Sequence, residues 1–242
     1  MRLDKFLVDC GLGSRTDVKK FLKQKKISVN GSVQTLAKSQ INPDQDVVTY
    51  QGETLQHETF LYYMLHKPAG VISATEDPEH RTVLDLLDDK AKQKAVFPVG
   101  RLDKDTEGLL LLTNNGKLAH ALLSPKRHVV KCYEAHVLGV MTVDDQLAFE
   151  QGIVLSDHHC LPAQLEIKAV DQEKQTSLVT IKIKEGKFHQ IKRMVKACGK
   201  EVTYLKRLSM GPLDLDPELP VGHWRLLTDK EQALLADVGV TV

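Results

Sequence analysis

Apolar and polar positions in the first third of the chain fall into two helical periods and then a strand period. Leu3, Phe6 and Leu7 share one helical face. That face stops at Gly11-Leu12-Gly13, and a second helix is predicted from Ser14, where Asp17 three residues on completes a capping pair. Val18, Phe21 and Leu22 make its apolar stripe, while Lys19, Lys20 and Lys23 fall away from it and Lys25 and Lys26 follow at its end. The segment "ISVNGSVQT" alternates about Asn30-Gly31, a strong short hairpin signal. Two short helices and a hairpin complete a unit by about Gly52. The polar, aperiodic stretch 51–59 reads as a linker, with a domain boundary near Glu58.

Beyond it the pattern changes. "FLYYMLHKPAGVIS" is a strand-like apolar run broken at Lys67-Pro68-Ala69-Gly70, where proline and glycine force a turn. Further strands are predicted at 108–113, 133–138, 161–170 and 177–184, and helices at 82–87, 143–151 and 188–197. Many strands follow one another directly and few alternate with helices, which predicts an α+β domain over residues 59–242 with a mixed, largely antiparallel sheet flanked by helices.

Composition narrows the class. At 242 residues, with 42% hydrophobic and 27% charged residues, the chain is long enough for a real core and ordinary for a globular protein. "MRLDKFLVDC" lacks the apolar centre of a signal peptide and no run of eighteen apolar residues occurs, so a cytoplasmic protein without a membrane span is expected. Cys10, Cys132, Cys160 and Cys198 lie far apart with no Cys-x-x-Cys, so reduced thiols are expected and no metal site is suggested. Net charge is +1 but uneven: residues 14–31 hold six Lys/Arg against one acid, and 182–207 hold nine against two. Such asymmetry suits a polyanion bound on one side.

The stretch "PVGRLDKDTEGLLLLTNNGKL" places Asp103, Asp105 and Glu107 between a glycine-arginine turn and four leucines. A calcium loop does not fit, because Lys104 separates the first would-be ligands and Asn114 stands where the bidentate glutamate belongs. There is no Gly-x-x-x-x-Gly-Lys-Ser/Thr and no Gly-x-Ser-x-Gly, which argues against a nucleotide-driven or serine-triad enzyme. What remains is a carboxylate on a short loop after Arg101. By itself it is either a fixed anion at a buried strand or a turn cap.

Two resemblances extend this reading. "MRLDKFL…SRTDVKKFLKQKKISVNG" resembles the S4 RNA-binding domain, which implies a small α/β RNA-binding domain over residues 1–58 with Arg15, Lys19, Lys20 and Lys23 as candidate phosphate contacts. "GRLDKDTEGLLLLTNNG" is similar to the signature of pseudouridine synthases of the ribosomal small subunit synthase A class, and the likeness continues through "YYMLHKPAGVIS", "KCYEAHV" and "EGKFHQIKRMVKACG". It implies Asp103 as the catalytic nucleophile, Tyr133 as the active-site tyrosine, Lys192 as the basic partner of the aspartate and Ile191 as the apolar residue beside the uracil. Arg101 is implied as a bidentate phosphate grip or an aid to base extrusion.

The implied reaction breaks the N1–C1′ bond of uridine, turns the base and joins C5 to C1′, an isomerisation with no redox change, so no cofactor is expected. An aspartate of ordinary pKa, about 3.9, is already a carboxylate at neutral pH, and a tyrosine offers both a flat face for the base and a hydroxyl for proton transfer. The expectation is therefore a monomeric, cytoplasmic, RNA-modifying isomerase. Its partner is ribosomal RNA, with small-subunit 16S RNA or an assembly intermediate favoured over a large-subunit 23S uridine. A non-catalytic RNA-binding assembly factor is the competing class.

Overall fold

The computed structural model describes residues 1–43, 45–55 and 60–236. The chain divides into two compact units, Met1–Thr59 and Phe60–Val242. The boundary expected near Glu58 lies outside the described residues.

In the first unit, α1 (Leu3–Asp9) and α2 (Arg15–Lys23) precede β1 (Ile27–Val29), β2 (Ser32–Val33), β3 (Val48–Tyr50) and β4 (Glu53–Thr54), paired in the order β2-β1-β3-β4. The Ser14 hydroxyl accepts from the Asp17 N–H, and the Asp17 carboxylate accepts from the Ser14 N–H, so α2 starts on a true capping box. Asn30 and Gly31 both have positive φ, +50° and +78°, the backbone a two-residue turn between right-twisted strands requires. Leu3, Phe6, Leu7, Val18, Leu22, Ile27, Ile41 and Val48 form the core. Arg15, Lys19, Lys20 and Lys23 are all exposed on α2. Part of the expected linker is ordered strand, since Thr49 and Tyr50 pair with Thr54 and Glu53, and polarity alone hid it because both β4 residues are exposed.

The second unit contains β5 (Tyr62–Lys67), a 3-10 turn (Val83–Leu86), α3 (Asp89–Gln93), β6 (Phe97–Pro98), β7 (Glu107–Thr113), α4 (Gly116–Leu123), β8 (Lys131–Leu138), α5 (Val143–Gln151), β9 (Gln164–Asp171), β10 (Thr176–Ile183), α6 (Gln190–Ala197), β11 (Glu201–Met210), β12 (Leu213–Asp214), β13 (Trp224–Leu226) and α7 (Asp229–Ala236). The main sheet runs β13-β5-β7-β11-β8-β10-β9, with β6 on β7 and β12 on β11. Among the described strands only β7 and β11 pair in parallel. This is the expected mixed, largely antiparallel α+β architecture.

The four leucines now have a reason. Leu110 and Leu112 join one core with Tyr63, Leu65, Tyr133, Ala135, Ile181 and Met194, while Leu109 and Leu111 join a second core on the opposite face with Tyr62, Met64, Leu118 and Leu122. A strand covered on both faces reads as a continuous apolar run rather than an alternation. Gly108 has φ +104°, and a Cβ there would meet the Arg207 carbonyl oxygen at 2.2 Å, so only glycine lets β7 approach β11 this closely.

Several expected boundaries shift. The helix expected at 82–87 is a single 3-10 turn capped by Thr82 and Asp85. The helix expected from 188 begins at Gln190, because His189 is left-handed at φ +48°. The strand expected at 161–170 starts only at Gln164. Strand β11, with ten residues the longest, was not anticipated: "EVTYLKRLSM" looks polar, yet its Arg207 is 1% exposed. The basic stretch 182–207 is consequently not one charged surface. Arg207 points inward, Lys192 and Lys200 pair with acids, and Arg193 pairs with Asp157.

Candidate active site

The loop between β6 and β7 carries Asp103, and its shape is set by hydrogen bonds to its backbone from the end of β5 and the turn that follows. The Lys67 ammonium, fully buried, donates to the carbonyls of Pro68 (2.9 Å), Asp103 (3.1 Å), Lys104 (3.3 Å) and Thr106 (2.9 Å). The Gly70 N–H donates to the Lys104 carbonyl at 2.7 Å, and Thr106 N–H to the Asp103 carbonyl at 3.1 Å. Ser73 both donates to the Leu102 carbonyl and accepts from the Leu102 N–H, each at 3.0 Å. "HKPAGVIS" thus acts as a clamp on "RLDKDT". Burial pushes the Lys67 pKa down to about 8, against the pull of Asp105, Asp103 and Glu107.

The Asp103 carboxylate faces a cleft of about 600 Å³ whose walls include Arg101, Asp103, Lys131, Tyr133, Ile191, Lys192 and Arg207. Lys192 Nζ lies 3.2 Å from Asp103 Oδ2 and 2.5 Å from Asp105 Oδ1, and His189 Nε2 lies 3.6 Å from Asp103 Oδ1. Lys192 therefore serves two carboxylates, and its ammonium is the chief cause that holds Asp105 below the usual carboxylate range. Its helix is anchored at the start: Lys187 N–H donates to Gln190 Oε1, and Gln190 Nε2 donates to Glu185 Oε1.

Tyr133 and Ile191 are 7% and 4% exposed, Tyr133 on β8 opposite Ile181 and Arg207, Ile191 on the first turn of α6. Arg101 is exposed at the rim. The exposed Phe188 stacks on His189 with ring centroids 3.8 Å apart. The cleft thus brings together Asp103, Tyr133, Lys192, Ile191 and Arg101, whereas Arg15, Lys19, Lys20 and Lys23 belong to the first unit. Lys67, Ser73, Lys131, His189 and Arg207 were missed. "HKPAG" was read only as a turn, and nothing local marks Lys131 or Arg207 as inward-facing.

Such a site can present a fixed carboxylate, held by a cation, to a planar base against an aromatic ring. Residues 61–197 match the RNA pseudouridylate synthase family and residues 1–47 match the S4 domain. The chain belongs to the RNA pseudouridylate synthase family. An uncharacterized RNA pseudouridine synthase of Bacillus subtilis is 47% identical over 97% of this chain and 98% of its own length. The ribosomal large subunit pseudouridine synthase B of Bacillus subtilis is 37% identical (95% and 93%), as is the ribosomal small subunit pseudouridine synthase A of Yersinia pestis (99% and 98%). A crystal structure of a pseudouridylate synthase, 32% identical, aligns over 97% of this chain and 99% of its own with a TM-score of 0.67.

His158, Cys160 and Glu185 bring ligand atoms within 4.8 Å of one another. The Glu185 carboxylate, however, already accepts from Leu161 N–H (2.8 Å), Gln190 Nε2 (2.7 Å) and His158 Nε2 (3.0 Å), which fits a clamp on the start of α6. No described helix of the synthase is long and apolar enough to cross a membrane.

Proposed function

We propose that this synthase isomerises a uridine of small-subunit ribosomal RNA, in the cytoplasm and as a monomer, with Asp103 as its nucleophile. The observation that carries the assignment is the Asp103 carboxylate at 3.2 Å from Lys192 Nζ in a cleft walled by Tyr133 and Ile191. Lys192 holds the carboxylate aimed into the cleft. Tyr133 and Ile191 sandwich the uracil, and the Tyr133 hydroxyl is the group in reach to handle the C5 proton. N1–C1′ cleavage and C5–C1′ bonding leave one proton to depart from C5 and one to be gained at N1, so the exchange balances without a cofactor. Arg101, at the rim, grips backbone phosphate while the base is extruded.

The S4 unit supplies affinity through Arg15, Lys19, Lys20 and Lys23, which contact the phosphate backbone and do not read base identity. Small-subunit RNA is the first reading, by likeness to the Yersinia small-subunit enzyme, and equal identity to the Bacillus large-subunit enzyme makes a large-subunit uridine the second. Position-by-position pseudouridine mapping in cells lacking the protein distinguishes them. One small-subunit pseudouridine should vanish and return only with an intact Asp103. Loss at a large-subunit position would overturn the subunit assignment, and loss at neither would overturn the substrate.

A further inference from the structure

We propose that Lys131 and Arg207 form an anion site in the wall of the catalytic cleft that holds the backbone phosphate next to the target uridine. The inference rests on the synthase acting on RNA at Asp103, and it concerns two residues that neither the motifs nor the comparisons assign.

The sheet register puts both cations on the face that carries Tyr133. Lys131 lies two residues before Tyr133 on β8, so the two side chains point the same way, about 7 Å apart along the strand. Arg207 on β11 pairs directly with Tyr133. Both cations line the cleft that holds Asp103. Neither is a surface charge: Lys131 is 8% exposed and Arg207 1%.

What marks the pair is the lack of an anion. Lys192, Lys200, Arg193 and Arg225 each have a carboxylate partner, whereas among the described residues neither Lys131 nor Arg207 has one. Among the described residues Lys131 Nζ donates only to the Val129 carbonyl, at 3.2 Å. Arg207 Nε donates to the Leu109 carbonyl at 2.8 Å, but its Nη2 is buried with no hydrogen-bond partner. Only three described side-chain polar atoms are buried and unpartnered, and two of them, Arg207 Nη2 and Thr106 Oγ1, belong to residues lining this cleft. Burial, and after it the charge of Arg207, pushes the Lys131 pKa down to about 8, while Glu185 pulls the other way.

Two like charges buried together with a donor left over are unfavourable until an anion arrives. A phosphodiester supplies that anion with the substrate: it accepts from a guanidinium and an ammonium at once, in charge-assisted bonds. With the uracil on Tyr133, the phosphate of the same nucleotide is the anion that comes to the same sheet face. The site thereby rewards a nucleotide that is fully seated, base and phosphate together.

The test uses the full-length protein and a short RNA spanning the mapped uridine, with a neutral methylphosphonate placed on its 5′ side, on its 3′ side, or on neither. In the wild type one of the two replacements should lower kcat/KM at least tenfold. Lys131→Met should lose a similar factor on unmodified RNA and lose little more on the methylphosphonate RNA, because both changes remove the same contact. Arg207→Lys, which keeps the charge but not the fork, should be intermediate and show the same non-additivity. The wild-type comparison needs no variant, so a misfolded substitution leaves the question decidable. Methylphosphonates that cost the wild type less than twofold on both sides would overturn the site, as would losses from Lys131→Met and methylphosphonate that multiply. Wild-type protein that makes no pseudouridine on unmodified RNA would overturn the activity on which the site rests, a separate result from either.

Discussion

Lys67→Met is the perturbation that best separates stability from catalysis in this protein. The variant keeps the stem and removes an ammonium bonded to four carbonyls, two of them on Asp103 and its neighbour Lys104. The Asp103 and Lys104 carbonyls keep backbone donors from Thr106 and Gly70, so Pro68 O and Thr106 O depend on the ammonium most. Leaving both without it costs about 1–3 kcal/mol each. In the other direction, the fall in pKa from 10.5 to about 8 corresponds to roughly 3 kcal/mol for holding the charged form in the fold, which methionine does not incur. The two nearly offset, so the net loss of stability should be small, about 1 kcal/mol, a drop of a few degrees in Tm.

The rate should respond far more. The loop that carries Asp103 loses its central anchor, and a misplacement on the order of 1 Å costs about a hundredfold. Single-turnover release of tritium from C5 of the labelled uridine measures this step directly, because C5 surrenders its hydrogen when it bonds to C1′. The pH dependence has a definite sign. Between about 8 and 10.5 the unfolded chain holds the Lys67 proton and the folded one has released it, so Lys67's contribution to stability rises with pH there. Activity should fall as pH rises through about 8, where the folded protein loses the charged donor. Subtracting the stability of Lys67→Met from that of the wild type at each pH isolates this residue. A variant that keeps its rate within threefold would refute the clamp, and a difference that shrinks with pH would refute the lowered pKa of Lys67.

Asp103→Asn should remove turnover by at least about a thousandfold with RNA affinity within a few-fold, as expected for a lost nucleophile, and one tenth of normal turnover would exclude that role. Asp105→Asn should lower the rate less than tenfold but not leave it untouched, since Asp105 shares Lys192 with Asp103. Gly108→Ala should destabilise the second unit by about 3 kcal/mol or more in denaturant titrations, because the new Cβ meets backbone of β11 and not a side chain that can move. For the S4 helix, Lys19, Lys20 and Lys23 changed to Gln should flatten the slope of log affinity against log salt by about 2 without moving the modified position. Lys20 should contribute least, since Asp17 already lies 3.8 Å from its ammonium.

Local chemistry was legible in the sequence wherever neighbours along the chain decide the outcome. The Ser14 and Asp17 cap, the Asn30-Gly31 turn and the lysines off the α2 stripe involve residues a few positions apart, so their geometry is written into their spacing. Asp103, Tyr133, Ile191 and Lys192 stood out through motifs, and the fold gathers them in one cleft. Tertiary structure alone decided the rest, for a common reason: a side chain's partner there lies far along the chain. Strand β11 was hidden because its hydropathy pattern is spoiled by Arg207, a charge buried on the sheet face of the cleft. Lys67 looked like part of a turn, yet three of its four carbonyl acceptors lie 36 or more positions away. That Lys131 and Arg207 share one sheet face depends on the β8 to β11 register, which the sequence does not number. Spacing reports what a residue is placed beside in its own element, and only packing reports which charges are left facing a cleft without a counter-ion.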